Sequence, residues 1–254
     1  MLPAERQQRI IAMLSDGGVV ATEEFAAALA VSTETVRRDL KLLESARRLV
    51  RVHGGAALRP VASQEPSFAN REKLGAAAKE AIGRRAAGLV ESGMTVMFDV
   101  GTTALAVARA LPLDFTGCVV TCSLLVATQL AGRPGIEVVV SGGRVRGGDL
   151  AVSNHLATGF FADVRPDLAF LGSGGVNATA GLTDYYLDEV ATRRTVLGNA
   201  ARSYVLADAT KLGVIAPHRV AGLGELSGLI TDSAPDEELT EALEREGVEL
   251  LVAA

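Results

Sequence analysis

The 254-residue sequence contains no tryptophan, and its seven Phe and three Tyr leave aromatics at 4%. Proteins that hold single-stranded nucleic acid usually stack bases on aromatic rings, so that class starts without its main tool. Cysteine is nearly absent: Cys118 and Cys122 stand in one apolar run, Cys118-Val119-Val120-Thr121-Cys122. Residues four apart on a strand share a face but lie ~13 Å apart, too far for a disulfide. They therefore read as buried small apolar side chains, with a redox or metal sensor as the weaker alternative. The three histidines, His53, His155 and His218, have no ligand-like spacing to them, so no metal is expected. No apolar run of about 18 residues free of charge occurs, which argues against a membrane span. The opening Met1-Leu2-Pro3-Ala4-Glu5-Arg6 is charged where a secretory leader has its apolar core, so a cytoplasmic protein is expected. Neither G-x-x-x-x-G-K-[ST] nor G-x-G-x-x-G occurs, and nucleotide hydrolysis and dinucleotide chemistry have no foothold. No cofactor is expected.

What is present is an uneven distribution of charge. The chain carries −5 overall, yet residues 1–60 hold nine Lys/Arg against seven Asp/Glu. Between 37 and 51 the balance is six basic residues (Arg37, Arg38, Lys41, Arg47, Arg48, Arg51) against Asp39 and Glu44. A basic stretch on an acidic chain is a local electrostatic footprint, which is more informative than the total.

Periodicity places that stretch. Pro3 opens a helix with Ile10, Ile11 and Leu14 on one face, and Asp16-Gly17-Gly18 stop it. Val19-Val20 form a short strand. Thr22 is expected to cap a second helix with Glu23 and Glu24 in its first turn. Ala30-Val31 make a tight connection, and Ser32 caps a third helix whose Val36, Leu40 and Leu43 define a buried face. Glu34, Arg38 and Lys41 then point outward, flanked by Thr35 and Arg37. Leu49 to Ala56 reads as strand, glycine turn, strand. Helix, strand, helix, helix, hairpin is the order of a winged helix-turn-helix. Ser32, Thr33, Thr35, Arg37, Arg38 and Lys41 are the candidate groove and phosphate contacts on double-stranded DNA, with Arg51 and His53 on the hairpin beside them.

Residues 59–71 break the pattern with two prolines and small polar residues, so they read as a linker between a domain over 1–58 and another over 72–254. In the second, apolar runs at 94–99, 118–122, 136–141, 167–172, 203–207, 228–231 and 248–252 alternate with helical patterns at 74–91, 103–111, 124–131, 188–200 and 236–246. Such alternation predicts a mostly parallel, open α/β sheet. Ligands in such sheets bind beyond the carboxyl ends of the strands. Asp99-Val100-Gly101-Thr102-Thr103 lies at one such end: glycine permits a tight turn, the helix N-terminus favours an anion, and Asp99 suits sugar hydroxyls. Thr121-Cys122-Ser123, Gly142-Gly143, Gly174 and Asp208 with Lys211 mark further strand ends, and Lys211 supplies a cation for phosphate. Arg144 and Arg146 are within reach of an anion there.

Val31-Ser32-Thr33-Glu34-Thr35-Val36-Arg37-Arg38-Asp39-Leu40, followed by Arg51-Val52-His53-Gly54-Gly55-Ala56, resembles the DeoR family of transcription regulators, whose pattern is VS-x-x-TIRRDL and then R-x-HGGA. The strand ends resemble that family's sensor text, D-x-GTT, VTN, GG and D-x-SK. Cys122 stands where the family usually has Asn, and Ser153-Asn154 where many members have Gly. The resemblance implies a sensor fold similar to ribose-5-phosphate isomerase and coenzyme A transferases. It also implies a homo-oligomer, dimer or tetramer, that binds operator DNA and represses sugar-metabolism genes until a phosphorylated sugar releases it. The competing reading is a sugar-phosphate isomerase or deaminase with an accessory DNA-binding domain, using Asp99, Asp184, Glu189 or Asp208 as its base.

Overall fold

The computed structural model describes residues 2–15, 19–45, 49–52, 54–58 and 65–253. His53, Arg47, Arg48, the Asp16-Gly17-Gly18 stop and residues 59–64 of the expected linker lie outside the described residues. The chain divides into two compact units, Met1–Asn70 and Arg71–Ala254.

The N-terminal unit runs α1 (Pro3–Ser15), β1 (Val19–Ala21), α2 (Thr22–Leu29), α3 (Thr33–Ser45), β2 (Leu49–Val52) and β3 (Gly55–Leu58). The three strands form one antiparallel sheet in the order β1-β3-β2. One core of Ile10, Leu14, Phe25, Leu29, Val36, Leu40, Leu43, Leu49 and Ala56 joins the three helices to the hairpin. The two hairpin glycines have different jobs. Gly54 takes φ +81°, open to glycine without strain. Gly55 has no such torsion, but a Cβ there would lie 2.2 Å from the Val20 carbonyl oxygen, so only glycine lets β1 lie against β3.

Thr22 is not the cap of α2. Ala21 holds that position without a side-chain cap, and Thr22 is the first, buried residue of the helix. Its amide, one of the donors a helix start leaves unpaired, donates to the Gly54 carbonyl of the hairpin at 2.9 Å. Ala30, at φ +53°, makes the tight left-handed exit from α2.

Residues 68–71, expected to be linker, are helical: α4 (Phe68–Lys73) spans the boundary of the two units. The larger unit continues with α5 (Ala76–Ala87), β4 (Thr95–Phe98), α6 (Thr102–Ala110), β5 (Gly117–Thr121), α7 (Leu124–Leu130), β6 (Ile136–Val140), α8 (His155–Ala162), β7 (Leu168–Leu171), β8 (Gly175–Asn177), β9 (Gly181–Asp184) and α9 (Leu187–Asn199). It ends with β10 (Ser203–Leu206), β11 (His218–Ala221), β12 (Gly228–Thr231), α10 (Glu237–Arg245) and β13 (Glu249–Val252). Seven strands form a wholly parallel sheet in the order β13-β12-β10-β7-β4-β5-β6. Every residue of β7, β10 and β12 is buried, so both faces of the sheet centre are covered, which is why these strands are apolar without alternation.

Two features were not foreseen. Helix α8 follows a glycine-rich loop, and Asn154 starts it by accepting the amides of Leu156 at 2.9 Å and Ala157 at 3.3 Å. A small antiparallel sheet, β11-β9-β8, stands apart from the main one in strand pairing. Its strands, each only three or four residues long, were not among the expected apolar runs.

Candidate nucleic-acid interface and effector site

Helix α3 begins with Ser32, whose Oγ accepts the Thr35 amide at 3.2 Å and shares a hydrogen bond with Thr35 Oγ1 at 2.9 Å. Val36, Leu40 and Leu43 are buried, while Ser32, Glu34, Arg37, Arg38 and Lys41 are exposed and Thr33 and Thr35 half-exposed. The Arg38 side chain is 80% exposed, 3.9 Å from Glu34, and Arg37 lies 3.7 Å from the same carboxylate. Exposed pairs this loose add little stability and are readily exchanged for other anions. Arg51 is exposed on β2, with its amide donating to Glu44 Oε1 at 3.3 Å.

Asp39 behaves differently from the other charges of α3. It is buried and accepts from Arg6 Nε at 2.5 Å and Gln7 Nε2 at 3.3 Å, tying α1 to α3. The Asp39 carboxylate holds the Arg6 guanidinium above its ordinary pKa, by hydrogen bonding first and charge second, against burial. Asp39 sits at helical spacing from Val36 and Leu43, on the apolar stripe, and that position marks it as structural.

In the larger unit the strand order reverses between β4 and β7, which is where open α/β sheets form their ligand crevice. Asp99, just after β4, bridges that point: Oδ2 accepts the Gly172 amide beyond β7 at 2.9 Å, and Oδ1 accepts the Val100 amide at 2.8 Å. Oδ2 also takes a 2.5 Å hydrogen bond from Arg193 Nε. Arg193, on α9, is fully enclosed and meets two further carboxylates, Glu189 at 2.9 Å one turn earlier and Asp184 at the end of β9. Its Nη1 faces Asp184 as an ion pair outside hydrogen-bond alignment. Arg146, from the loop before α8, reaches Asp149 and Glu189, and its guanidinium lies 4.0 Å from the centre of the Tyr186 ring.

Four carboxylates thus share two guanidiniums. Burial pushes the Glu189 carboxyl up to about 7; Asp184 and Asp99 add to this, and Arg193 and Arg146 oppose it. Against the burial that lowers it, the attraction of Asp184, Asp99 and Glu189 keeps Arg193 well above its ordinary value.

A second charged group has the opposite balance. Asp208, after β10, accepts the Thr210 amide at 3.0 Å and the Thr210 hydroxyl. Lys79 of α5, itself buried, places Nζ 3.6 Å from Asp208 and donates to the carbonyls of Arg71, at 2.6 Å, and Leu74. Burial lowers the Lys79 pKa, Asp208 opposes this, and the nearby charges of Arg71 and Lys211 depress it further. Arg71 and Lys211 thus lie within electrostatic reach of the Lys79–Asp208 pair. Lys211 also lies 5.7 Å from the centre of the Tyr185 ring. Gly101, at φ +114°, leads into α6, and a Cβ on it would lie 4.0 Å from Arg71 Nη1. Thr102 is buried and Thr103 half-exposed at that helix start.

The expected effector residues thus fall into two sets. Asp99 belongs to the group around Arg193, while Asp208 is joined through Lys79 to Arg71, whose Nη1 lies near Gly101, with Thr102 and Thr103 following. Thr121, Cys122 and Ser123 are enclosed at the end of β5, with their polar atoms turned to the protein itself. Thr121 Oγ1 donates to the Phe98 carbonyl at 2.7 Å and accepts the Ser123 amide, and Ser123 Oγ caps α7. Cys122 Sγ lies 3.7 Å from Asp99 Oδ1; burial first, and Asp99 next, push its thiol well up. These three shape the turn from inside. Gly142 and Gly143 are exposed after β6, Gly143 beside the Asn154 amide, and Gly174 is buried against Asp184. The expectation that Asp99 offers itself to sugar hydroxyls changes, since its oxygens already serve Arg193 and two backbone amides. Lys79, Arg71, Asp149 and Arg193 were not foreseen. Lys79 and Arg193 carried the same signal as Asp39: a charge at helical spacing among apolar neighbours, Lys79 with Ile82 and Ala86, Arg193 with Val190 and Val196.

The DeoR-like helix-turn-helix domain matches residues 6–60, and the DeoR C terminal sensor domain matches residues 75–233. The HTH-type transcriptional regulator GolR of Listeria innocua is 31% identical, over 100% of this chain and 100% of its own. GlpR of Haloferax volcanii, also an HTH-type transcriptional regulator, is 35% identical over 98% of this chain and 97% of its own. The glycerol-3-phosphate regulon repressor of Escherichia coli is 30% identical over 98% of this chain and 99% of its own. Among solved structures, ribose 5-phosphate isomerase A of Methanocaldococcus jannaschii matches 54% of this chain and 55% of its own, with 21% identity and a TM-score of 0.41. With both family domains present in order and relatives aligned from end to end, the chain belongs to the DeoR family of transcription regulators.

Proposed function

We propose that the protein represses transcription by placing the outer face of α3 in the major groove of operator DNA, and that a phosphorylated sugar or polyol at the sheet's carboxyl end controls it. The observation that carries the first half is the exposure of Arg37, Arg38 and Lys41 on the side of α3 away from its core. Arg and Lys donate to guanine edges and phosphates, and the amides behind the Ser32 cap suit a further phosphate. Arg51 and His53 meet the flanking backbone. In this reading residues 1–58 read DNA, 59–71 connect, and 72–254 sense the effector. The protein is a cytoplasmic homo-oligomer, dimer or tetramer, matching a two-fold operator. Among the described residues, no helix is long and apolar enough to cross a membrane.

The second half is supported by opposite charge balances at neighbouring strand ends. Arg71 and Lys211 lie within electrostatic reach of the Lys79–Asp208 pair and suit a phosphate, whereas the carboxylates around Arg193 are already held by that guanidinium. The relatives named as glycerol-3-phosphate regulon repressors point to the same ligand class. We read the protein as a non-enzyme: Asp99, Asp184 and Glu189, three of the candidate bases for an isomerase or deaminase, are held by one guanidinium.

Binding to a duplex enriched by the protein from random DNA tests the first half. Arg38→Ala and Lys41→Ala each lower affinity about tenfold and make the salt dependence shallower by about one unit per lost phosphate contact. Unchanged affinity and slope in both variants refute α3 as the reader. A thermal-shift panel of phosphorylated sugars and glycerol 3-phosphate tests the second half, since a ligand of the native state raises the transition. Turnover of ribose 5-phosphate or a glucosamine phosphate restores the enzyme reading.

A further inference from the structure

We propose that Lys79 is the positioning residue through which effector occupancy at the end of β10 reaches residues 71–74, where the chain runs in from the DNA-binding unit. This rests on the effector-site reading above and names how that site is coupled to the rest of the chain.

Three observations lead to it. The Lys79 ammonium donates to the carbonyls of Arg71 and Leu74 on one side and forms an ion pair with Asp208, 3.6 Å away, on the other. The amine therefore ties the strand end directly to the first residues of the larger unit, 208 to 71 and 74. Packing does not call for an amine here. Position 79 continues the buried stripe of Ile82, Gly83 and Ala86, which a methionine or leucine would fill without removing a charge from water. Finally, Arg71 approaches the same region twice. Its carbonyl accepts from Lys79, and its Nη1 lies 4.0 Å from where a Cβ on Gly101 would stand.

The physical consequence follows from charge balance. Asp208 is the carboxylate that offsets the repulsion of Lys79 by Arg71 and Lys211. A phosphate arriving beside Arg71 and Lys211 supplies further negative charge. The best position of the Lys79 ammonium then shifts between Asp208 and the two carbonyls. Because those carbonyls belong to the end of α4 and the turn into α5, the shift is felt at the segment continuous with the DNA-binding unit. A ligand alters that segment only through differential contacts of this kind.

The test is amide hydrogen exchange on the full chain, with and without saturating glycerol 3-phosphate, and again with high inorganic phosphate. In the wild type, either probe slows exchange at 99–105 and 208–212, and it changes exchange at 71–76 about threefold or more, the size of a modest local stabilisation. In Lys79→Met, with the probe raised until 208–212 is protected as in the wild type, the change at 71–76 disappears. Lys79→Gln keeps amide donors for the carbonyls but lacks the charge; it retains part of the change, and it carries the test if the methionine variant does not fold. A change at 71–76 that is equal in wild type and both variants overturns the coupling role and leaves the effector site standing. Absence of strand-end protection by either probe in the wild type overturns the effector-site reading, and the coupling with it.

Discussion

The two units keep their arginines in opposite environments. On α3, Arg37 and Arg38 stand in water, loosely paired with one glutamate at 3.7 and 3.9 Å. In the larger unit Arg193 is enclosed and bound by three carboxylates from three segments. An exposed guanidinium exchanges partners almost freely, because solvent and counterions replace whatever it loses. A buried one cannot, since its charge has no other source of compensation. The same side chain is therefore left available to solvent and other anions in one unit and is part of the construction in the other. The turn at Asp99 is built by charge pairing and backbone amides inside the protein.

The largest expected effect follows from that contrast. Arg193→Met leaves Asp99, Asp184 and Glu189 buried without their common counter-ion, and lowers the stability of the larger unit by about 3–5 kcal/mol in urea denaturation. Arg38→Ala is expected to leave stability within about 0.5 kcal/mol. Similar values for the two variants would erase the distinction between the units. Next in size is Gly55→Ala, where the new methyl meets the Val20 carbonyl; loss of about 1–3 kcal/mol is expected for overpacking at that contact. An unchanged N-terminal transition would show that β1 moves aside freely. Ser32→Ala removes the cap of α3 and costs about 1 kcal/mol, measured by the same transition.

The smallest effect concerns pH. Glu189 has its carboxyl pushed up to about 7, well above the ordinary carboxylate range, chiefly by burial. The native state therefore binds a proton that the unfolded chain has already released, so this group's contribution to stability is full below the ordinary range and is lost as pH rises through about 7. Glu189→Gln lacks that dependence. The melting temperature of wild type minus that of Glu189→Gln should fall by a few degrees between pH 5 and pH 8. A difference that stays flat or rises would mean that Glu189 is ionised throughout, held by Arg193 and Arg146.

How much was legible differs between the units for related reasons. The helix-turn-helix was readable almost residue by residue because its signals are local: the Ser32 cap, the Val36, Leu40 and Leu43 stripe, and the glycine pair of the hairpin. The parallel sheet was readable as alternating apolar runs and helical patterns, for burial on both faces imprints composition strand by strand. Strands β8, β9 and β11 were missed, being only three or four residues long; β8 and β9 form a tight hairpin, and β11 joins β9 from more than thirty residues away. Thr22 was misread as a cap because the carbonyl that satisfies its amide comes from Gly54, more than thirty residues away.

By itself, the sequence determined the order of elements, the division of charge between the ends of the chain and the outward face of α3. Each of these follows from spacing along the backbone. Which side chains meet was decided only in three dimensions. Asp99 with Arg193 and Lys79 with Asp208 are brought together from about a hundred residues apart or more by the strand order, a property of the whole sheet. Their one local trace is a charge sitting where a helix needs an apolar residue. Such a charge announces a buried partner, but only the folded chain can name it.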